Sequence, residues 1–138
     1  MIAVTLDTSF YIGALNSRGG GSRLLSMALA GEVRVDISEP IVTETLRVLR
    51  KTFGWDGYRI NHLKQTLSRI TNQVAPEQTL DVIKEDPSDN RILECAAEAG
   101  SDYIVTWDKD LLRLERYGKA RIVTVPVFLR LVASVRES

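Results

Sequence analysis

The sequence predicts an α/β protein built on a mostly parallel sheet flanked by helices. Short apolar runs alternate with stretches of helical spacing, the rhythm of βαβ units. The runs are rich in β-branched residues, which suit a pleated surface. Asp7, Glu44, Asp89 and Asp108, far apart in sequence, each stand where a strand ends or a helix begins. Parallel strands deliver their carboxyl ends to one edge, so such residues meet in a single crevice. Carboxylates crowded there repel one another unless a multivalent cation neutralises them, which points to Mg²⁺ or Mn²⁺.

Ile2 to Leu6 reads as the first strand, and Asp7-Thr8-Ser9 opens a helical stretch to Leu15. Gly19-Gly20-Gly21 is expected to break the chain before helical spacing resumes from Ser22 to Ala30. Val33 to Ile37 is the second strand. Ser38 and Pro40 then start a helix with Ile41, Leu46, Leu49 and Phe53 on its apolar side, ended by Gly54 and Gly57. A helix from Tyr58 to Ile70 and a short strand over Gln73-Val74-Ala75, closed by Pro76, come next. Asp86-Pro87-Ser88-Asp89 is a turn, since proline fixes its own φ and pushes its predecessor toward extended geometry. The helix Asn90 to Ala99, the strand Tyr103 to Thr106 and the short run Leu111 to Leu114 follow. Arg121 to Val125 is the last strand, and Pro126 starts a terminal helix carrying Val127, Phe128, Leu131 and Val132 on one side.

A chain of 138 residues, 44% hydrophobic and 26% charged, fits one globular domain over residues 1–138. No apolar run approaches the roughly 20 residues needed to cross a bilayer, and a basic start with a cleavage site is missing, so no membrane association and a cytoplasmic location are expected. Cys95, the single cysteine, forms no internal disulfide and supplies no thiolate cage; its spacing with Ile92, Ala96 and Ala99 places it in the core. His62, the single histidine, falls in a basic helix away from the acidic blocks and reads as a surface or packing residue.

Each acid also has a plain structural reading. Aspartate is a favoured N-cap, and Asp7, Asp89 and Asp108 all precede helical stretches. Glu44 has Arg47 three residues on, the spacing of a weak surface ion pair. Asp86 and Asp110, beside the main carboxylates, read as ligands, as acceptors supporting a ligand or as turn formers.

Taken together the blocks carry a stronger signal. Leu6-Asp7-Thr8-Ser9, Glu44 early in a following helix, Asp86-Pro87-Ser88-Asp89-Asn90 and Asp102-Tyr103-Ile104-Val105-Thr106-Trp107-Asp108-Lys109-Asp110-Leu111-Leu112 resemble a PIN-domain nuclease over nearly the whole chain. The likeness is greatest to the small single-domain members assigned as toxins of bacterial and archaeal toxin–antitoxin systems, the VapC-like group. The resemblance implies a three-layer α/β/α fold around a mostly parallel sheet of about five strands. It implies an endoribonuclease with Asp7, Glu44, Asp89 and Asp108 as catalytic metal ligands and Asp110 assisting, and with Ser9, Asp86 and Thr106 orienting them. It also implies RNA as substrate and a cognate antitoxin as partner. Arg47 and Arg113 are candidate anchors for such an inhibitor, since arginine pairs bidentately. Trp107 departs from the family pattern, where a small residue commonly precedes the fourth carboxylate.

The chemistry agrees with these residue types. One or two divalent ions bound by hard oxygen ligands activate a water and stabilise the leaving oxygen in phosphodiester hydrolysis. No other base is evident, which leaves metal-activated water as the expected nucleophile. The formal net charge is zero, from 18 basic and 18 acidic residues; setting aside Asp7, Glu44, Asp86, Asp89, Asp108 and Asp110 leaves 12 acids against 18 bases. Between Thr45 and Arg69 lie Arg47, Arg50, Lys51, Arg59, Lys64 and Arg69 against Asp56, interleaved with Phe53, Trp55 and Tyr58. Such a segment suits phosphates and unpaired bases, or solvation of a helix pair whose aromatics face the core or a second copy in a homodimer. Arg47, Lys51, Trp107, Lys109 and Arg113 are the expected RNA contacts.

Three other classes compete. A receiver domain wants paired acids after the first strand, where only Asp7 stands; a haloacid-type phosphatase wants an aspartate where Ser9 stands. The third is a catalytically silent PIN-like RNA-binding or scaffold protein.

Overall fold

The computed structural model describes residues 1–16 and 20–137. The apolar run at the start forms β1 (Ile2–Leu6), followed by α1 (Thr8–Asn16), α2 (Gly20–Leu29) and β2 (Val33–Ser38). Then come α3 (Glu39–Lys51), α4 (Gly57–Ile70), β3 (Thr71–Val74), α5 (Asp89–Ala99), β4 (Tyr103–Val105) and α6 (Lys109–Leu114). A short hairpin of β5 (Arg116–Tyr117) and β6 (Ala120–Val123) leads into α7 (Val125–Glu137).

The strands form one sheet in the order β3-β2-β1-β4-β6-β5, parallel throughout except for the β5–β6 pair. β1 sits at its centre, with β2 leaving to one side and β4 to the other, so the gap between β1 and β4 is the topological switch point. Strand alternation sorts side chains onto two faces. Val4 and its partner Tyr103 face α7, where Tyr103 meets Phe128 edge-on with ring centroids 5.6 Å apart. Thr5 and its partner Ile104 face the other way, toward α5, where the Thr5 hydroxyl meets Cys95 Sγ at 3.7 Å. Helices thus cover both faces, the three-layer arrangement expected, and buried apolar side chains from these elements form one continuous core.

Several boundaries differ from the sequence reading. Gly19 lies outside the described residues, and α2 already begins at Gly20, so Gly20 and Gly21 open a helix instead of breaking one. Phe53 lies beyond α3, about half exposed, in a turn where Gly54 adopts φ 69° and the Trp55 N–H returns to the Leu49 carbonyl at 3.1 Å. Val125, expected to end a strand, starts α7: the Phe128 N–H donates to the Thr124 carbonyl at 2.9 Å, and Pro126 fits the first turn because its missing N–H has no helical partner there. β5 went unread because two residues carry no periodicity; Gly118, at φ 58°, makes its turn. Cys95 and the exposed His62 lie as expected, and burial pushes the Cys95 thiol up to about 12.

Candidate metal centre at the carboxyl edge of the sheet

β1 delivers Asp7 to the switch point, where its side chain is set by three donors. Its Oδ1 accepts from the Phe10 N–H at 2.8 Å and the Ser9 hydroxyl at 3.0 Å, so Asp7 does cap α1. Its Oδ2 accepts from the Thr106 hydroxyl, which comes from the end of β4, the strand paired beside it. The same Thr106 oxygen accepts the Asp108 N–H at 2.9 Å. Thr106 therefore ties the two strand ends together. Asp108 caps α6, its Oδ1 accepting from the Asp110 N–H at 2.8 Å and the Leu111 N–H at 3.2 Å.

Asp89 behaves differently. It is the first residue of α5, not its cap; Ser88 holds that position and makes no side-chain cap bond. Asp89 is only 7% exposed, and its buried Oδ2 has no hydrogen-bond partner among the described residues. Asp86, Asp89 and Asp108 each offer a carboxylate oxygen within 4.8 Å of the other two. Asp86 reaches the group through a turn in which its Oδ1 accepts from the Ser88 hydroxyl at 2.6 Å and its carbonyl from the Asp89 N–H at 3.0 Å.

These acids line a cleft of about 500 Å³ with Asp7, Ser9 and Glu44 on its walls. Burial is the largest influence on Asp89, followed by the charges of Asp108 and Asp86, a side-chain hydrogen bond with Asp108 and the charge of Asp7; together they push its carboxyl up to about 8. Burial also raises Asp7, aided by the charge of Asp108 and opposed by the hydrogen bonds from Thr106, Phe10 and Ser9. Glu44 is shifted the other way. The Arg47 guanidinium grips it through Nε at 3.0 Å and Nη2 at 2.7 Å and, outweighing partial burial and the charge of Asp86, holds its carboxyl below the usual range.

The structure therefore brings Asp7, Asp86, Asp89 and Asp108 together, with Glu44 at the wall but engaged by Arg47. Two expectations exchange places. Asp86, expected to support the ligands, stands within the closest acidic group, whereas Asp110, expected as a ligand, is outside the cleft lining and faces Arg113 at 3.3 Å. The reason is local: Asp110 lies in the first turn of α6, on a side of the helix shared with Arg113, while the Asp86 turn folds back over the start of α5. Arg47 and Arg113, the candidate anchors for an inhibitor, are paired with Glu44 and Asp110. Lys51 and Lys109 are exposed, as is Trp107 at 58%.

A divalent cation fits this donor set. Hard oxygens are what Mg²⁺ and Mn²⁺ take, and an unpartnered buried carboxylate oxygen beside two further carboxylates is unfavourable without a positive charge. The decisive comparison is with known families: the family model described as PIN domain matches residues 3–110. The chain belongs to the PIN-domain family. A search of curated proteins found no match. The family match ends within α6, and the remaining β5, β6 and α7 complete the sheet and its covering layer in this PIN domain.

Sequence reasoning missed Asn90, Arg91 and Ser88 around the centre, and also Asp36. Asp36 is wholly buried in β2 and accepts from Arg34 Nε at 2.8 Å, Asn72 Nδ2 at 2.9 Å and the Ser101 hydroxyl at 2.7 Å. The available signal was an aspartate between Val35 and Ile37 in a strand, with Arg34 two residues before it on the same face.

Proposed function

We propose that this PIN domain is a divalent-metal-dependent endoribonuclease and the toxin of a cytoplasmic toxin–antitoxin pair. The observation that carries the nuclease reading is the buried Oδ2 of Asp89, without a hydrogen-bond partner among the described residues, within the acidic group at the switch point. Asp86, Asp89 and Asp108 would hold the ion, with Asp7 beside them and Glu44 able to join once released from Arg47. A bound Mg²⁺ or Mn²⁺, one or two per site, supplies Lewis-acid polarisation of the phosphate and a water of lowered pKa.

The protein's own residues do the rest. Thr106 and Ser9 hold Asp7 in one orientation, and Asp108 is locked by its capping bonds, so these acids need little rearrangement on binding. Exposed Lys109 and Lys51 offer phosphate contacts, and exposed Trp107, between Thr106 and Asp108, offers a ring to an unpaired base. Beyond α3, Tyr58 is 86% exposed and Phe53 about half exposed, whereas Trp55 is buried under Arg59, whose guanidinium sits 3.6 Å from the ring centroid. Single-stranded RNA fits this set better than a duplex, whose bases are stacked away from aromatic side chains. The receiver alternative has no support in the topology: a receiver sheet runs 2-1-3-4-5, whereas here β3 lies outside β2.

An unrestrained nuclease harms its host, so this reading includes an inhibitory protein partner whose contacts must displace or bridge the Glu44–Arg47 and Asp110–Arg113 pairs. Incubating the purified protein with mixed single-stranded RNAs, with Mn²⁺ or with EDTA, tests the chemistry. Water attack on phosphorus with departure of the 3′ oxygen gives 5′-phosphate and 3′-hydroxyl ends in Mn²⁺ and none in EDTA. Cyclic phosphate ends, or RNA bound but uncut, would overturn it, the latter in favour of a silent RNA-binding PIN protein.

A further inference from the structure

Between the end of β3 at Val74 and the start of α5 at Asp89 the chain runs without helix or strand, and Asp86 sits in this stretch. Irregular backbone has no ladder to satisfy its polar groups, so its position depends on what side chains provide. One face of α5 provides them. Glu98 accepts the Glu77 N–H at 3.1 Å; Glu94 accepts the Leu80 N–H at 2.7 Å while Arg91 donates to the Leu80 carbonyl at 3.2 Å. Asn90 does the most. Its Oδ1 accepts the Val82 and Ile83 N–H groups, each at 2.8 Å, and its Nδ2 donates to the carbonyls of Ile83 at 2.9 Å and Pro87 at 3.0 Å.

Two N–H groups on one side and two carbonyls on the other use the whole hydrogen-bonding capacity of an amide. Asn90 is 1% exposed, so none of these bonds is exchanged with solvent. Of the four ties from α5, this one reaches the chain on both sides of Asp86, at Val82–Ile83 before it and Pro87 after it. It closes a loop around Asp86 and anchors that loop to the residue next to Asp89. Glu98 and Glu94 fasten only the earlier part of the stretch.

We infer that Asn90 is the positioning residue of the acidic centre, fixing the carboxylate of Asp86 against that of Asp89 so that both oxygens reach one divalent ion. This rests on the metal-centre reading of the site and deepens it. Ligand spacing matters most for a small cation with strict geometry, and residues that orient ligands typically change affinity tenfold to a hundredfold when lost.

Mn²⁺ alone, titrated into the purified full chain by calorimetry, reads this without RNA. Asn90→Asp keeps the two acceptor bonds and loses the two donor bonds, and is expected to weaken Mn²⁺ binding by about tenfold or more although it adds a negative charge nearby. Asn90→Ser removes the amide without adding charge and is expected to do the same. Glu98→Ala loosens the same stretch at its far end and is expected to leave Mn²⁺ binding unchanged. In an Asp86→Asn background, Asn90→Ser should cost no further affinity, because Asn90 acts through Asp86. Parent-like Mn²⁺ affinity in both Asn90 variants, an equal loss in Glu98→Ala, or full additivity with Asp86→Asn would overturn the inference. A parent chain that binds Mn²⁺ but leaves RNA uncut would defeat the nuclease reading while leaving this one standing.

Discussion

Asp7 and Asp89 are two buried carboxylates in one cleft, held in opposite ways. Asp7 receives three hydrogen bonds, two from its own helix start and one from Thr106 just past the neighbouring strand. Asp89 opens its helix with one buried oxygen, Oδ2, that has no hydrogen-bond partner among the described residues. Burial raises both, but donors offset it at Asp7, while at Asp89 the neighbouring acids add to it. A carboxylate supplied with donors serves the fold whether or not an ion is present. One with a buried oxygen that lacks a donor needs a proton or a cation to neutralise it.

The comparison breaks most visibly in catalysis. Both residues face the cleft, so Asp7→Asn and Asp89→Asn are each expected to reduce Mn²⁺-dependent RNA cleavage by at least about a hundredfold, the scale of losing one strong electrostatic stabiliser. Single-turnover assays on folded variants check this. Undiminished cleavage by Asp7→Asn would make Asp7 a cap alone, and the two residues would share a cleft without sharing a role.

Stability without metal separates them by sign. Asp89 moves from an ordinary value of 3.8 to about 8 on folding, so between those values the folded chain holds a proton that the unfolded chain has released. Stability therefore falls as pH rises from about 4 to about 8 and levels off above that range, with the proton shared among the neighbouring acids. Asp89→Asn should flatten this decline and raise the melting temperature of metal-free protein at pH 8. Asp7→Ala removes a working cap and should lower stability by about 1–2 kcal/mol. Mn²⁺ at a hundred times its dissociation constant should stabilise the parent by about 2.7 kcal/mol, and Asp89→Asn by less. Thermal melts from pH 4 to 9, with and without Mn²⁺, test all three; an Asp89→Asn variant less stable than the parent at pH 8 with an unchanged metal response would show that Asp89 is structural.

How much of this was legible depends on how local each signal is. The β1 and β4 strands and the convergence of Asp7 with Asp108 follow from apolar runs that each end in an acid, because parallel strands share an edge. The placing of Asp86 does not follow, since it depends on four side-chain bonds from Asn90 to a stretch without periodicity. A buried asparagine and an exposed one look alike in sequence. The capping reading of Asp89 misses by one residue because the helix starts a position earlier than the turn residues suggest, and that residue is the difference between a satisfied and an orphaned oxygen. The pairing of Glu44 with Arg47 was legible from spacing alone, whereas its position on the cleft wall required β2 and α3 to be placed beside the switch point.

Glu44 is held in a third way, by a cation already in the chain, and this gives the smallest predicted effect. The Glu44–Arg47 pair is substantially exposed on both sides, so solvent screening leaves it little influence on stability. A carboxyl held below its ordinary 4.5 favours the fold above that value and loses this contribution as pH falls through its lowered folded value. In Arg47→Ala that contribution vanishes, and melting curves of variant and parent should stay nearly parallel from pH 3 to 7. The carboxyl itself should respond clearly. With the hydrogen bonds and charge of Arg47 gone, partial burial and the charge of Asp86 remain, and both raise Glu44. Carboxyl-detected NMR titration of metal-free protein should therefore find Glu44 above its parent value and sensitive to Asp86→Asn. A Glu44 that titrates as in the parent would mean that something other than Arg47 keeps it ionised, and that its distance from the acidic centre is set by α3 and not by the ion pair.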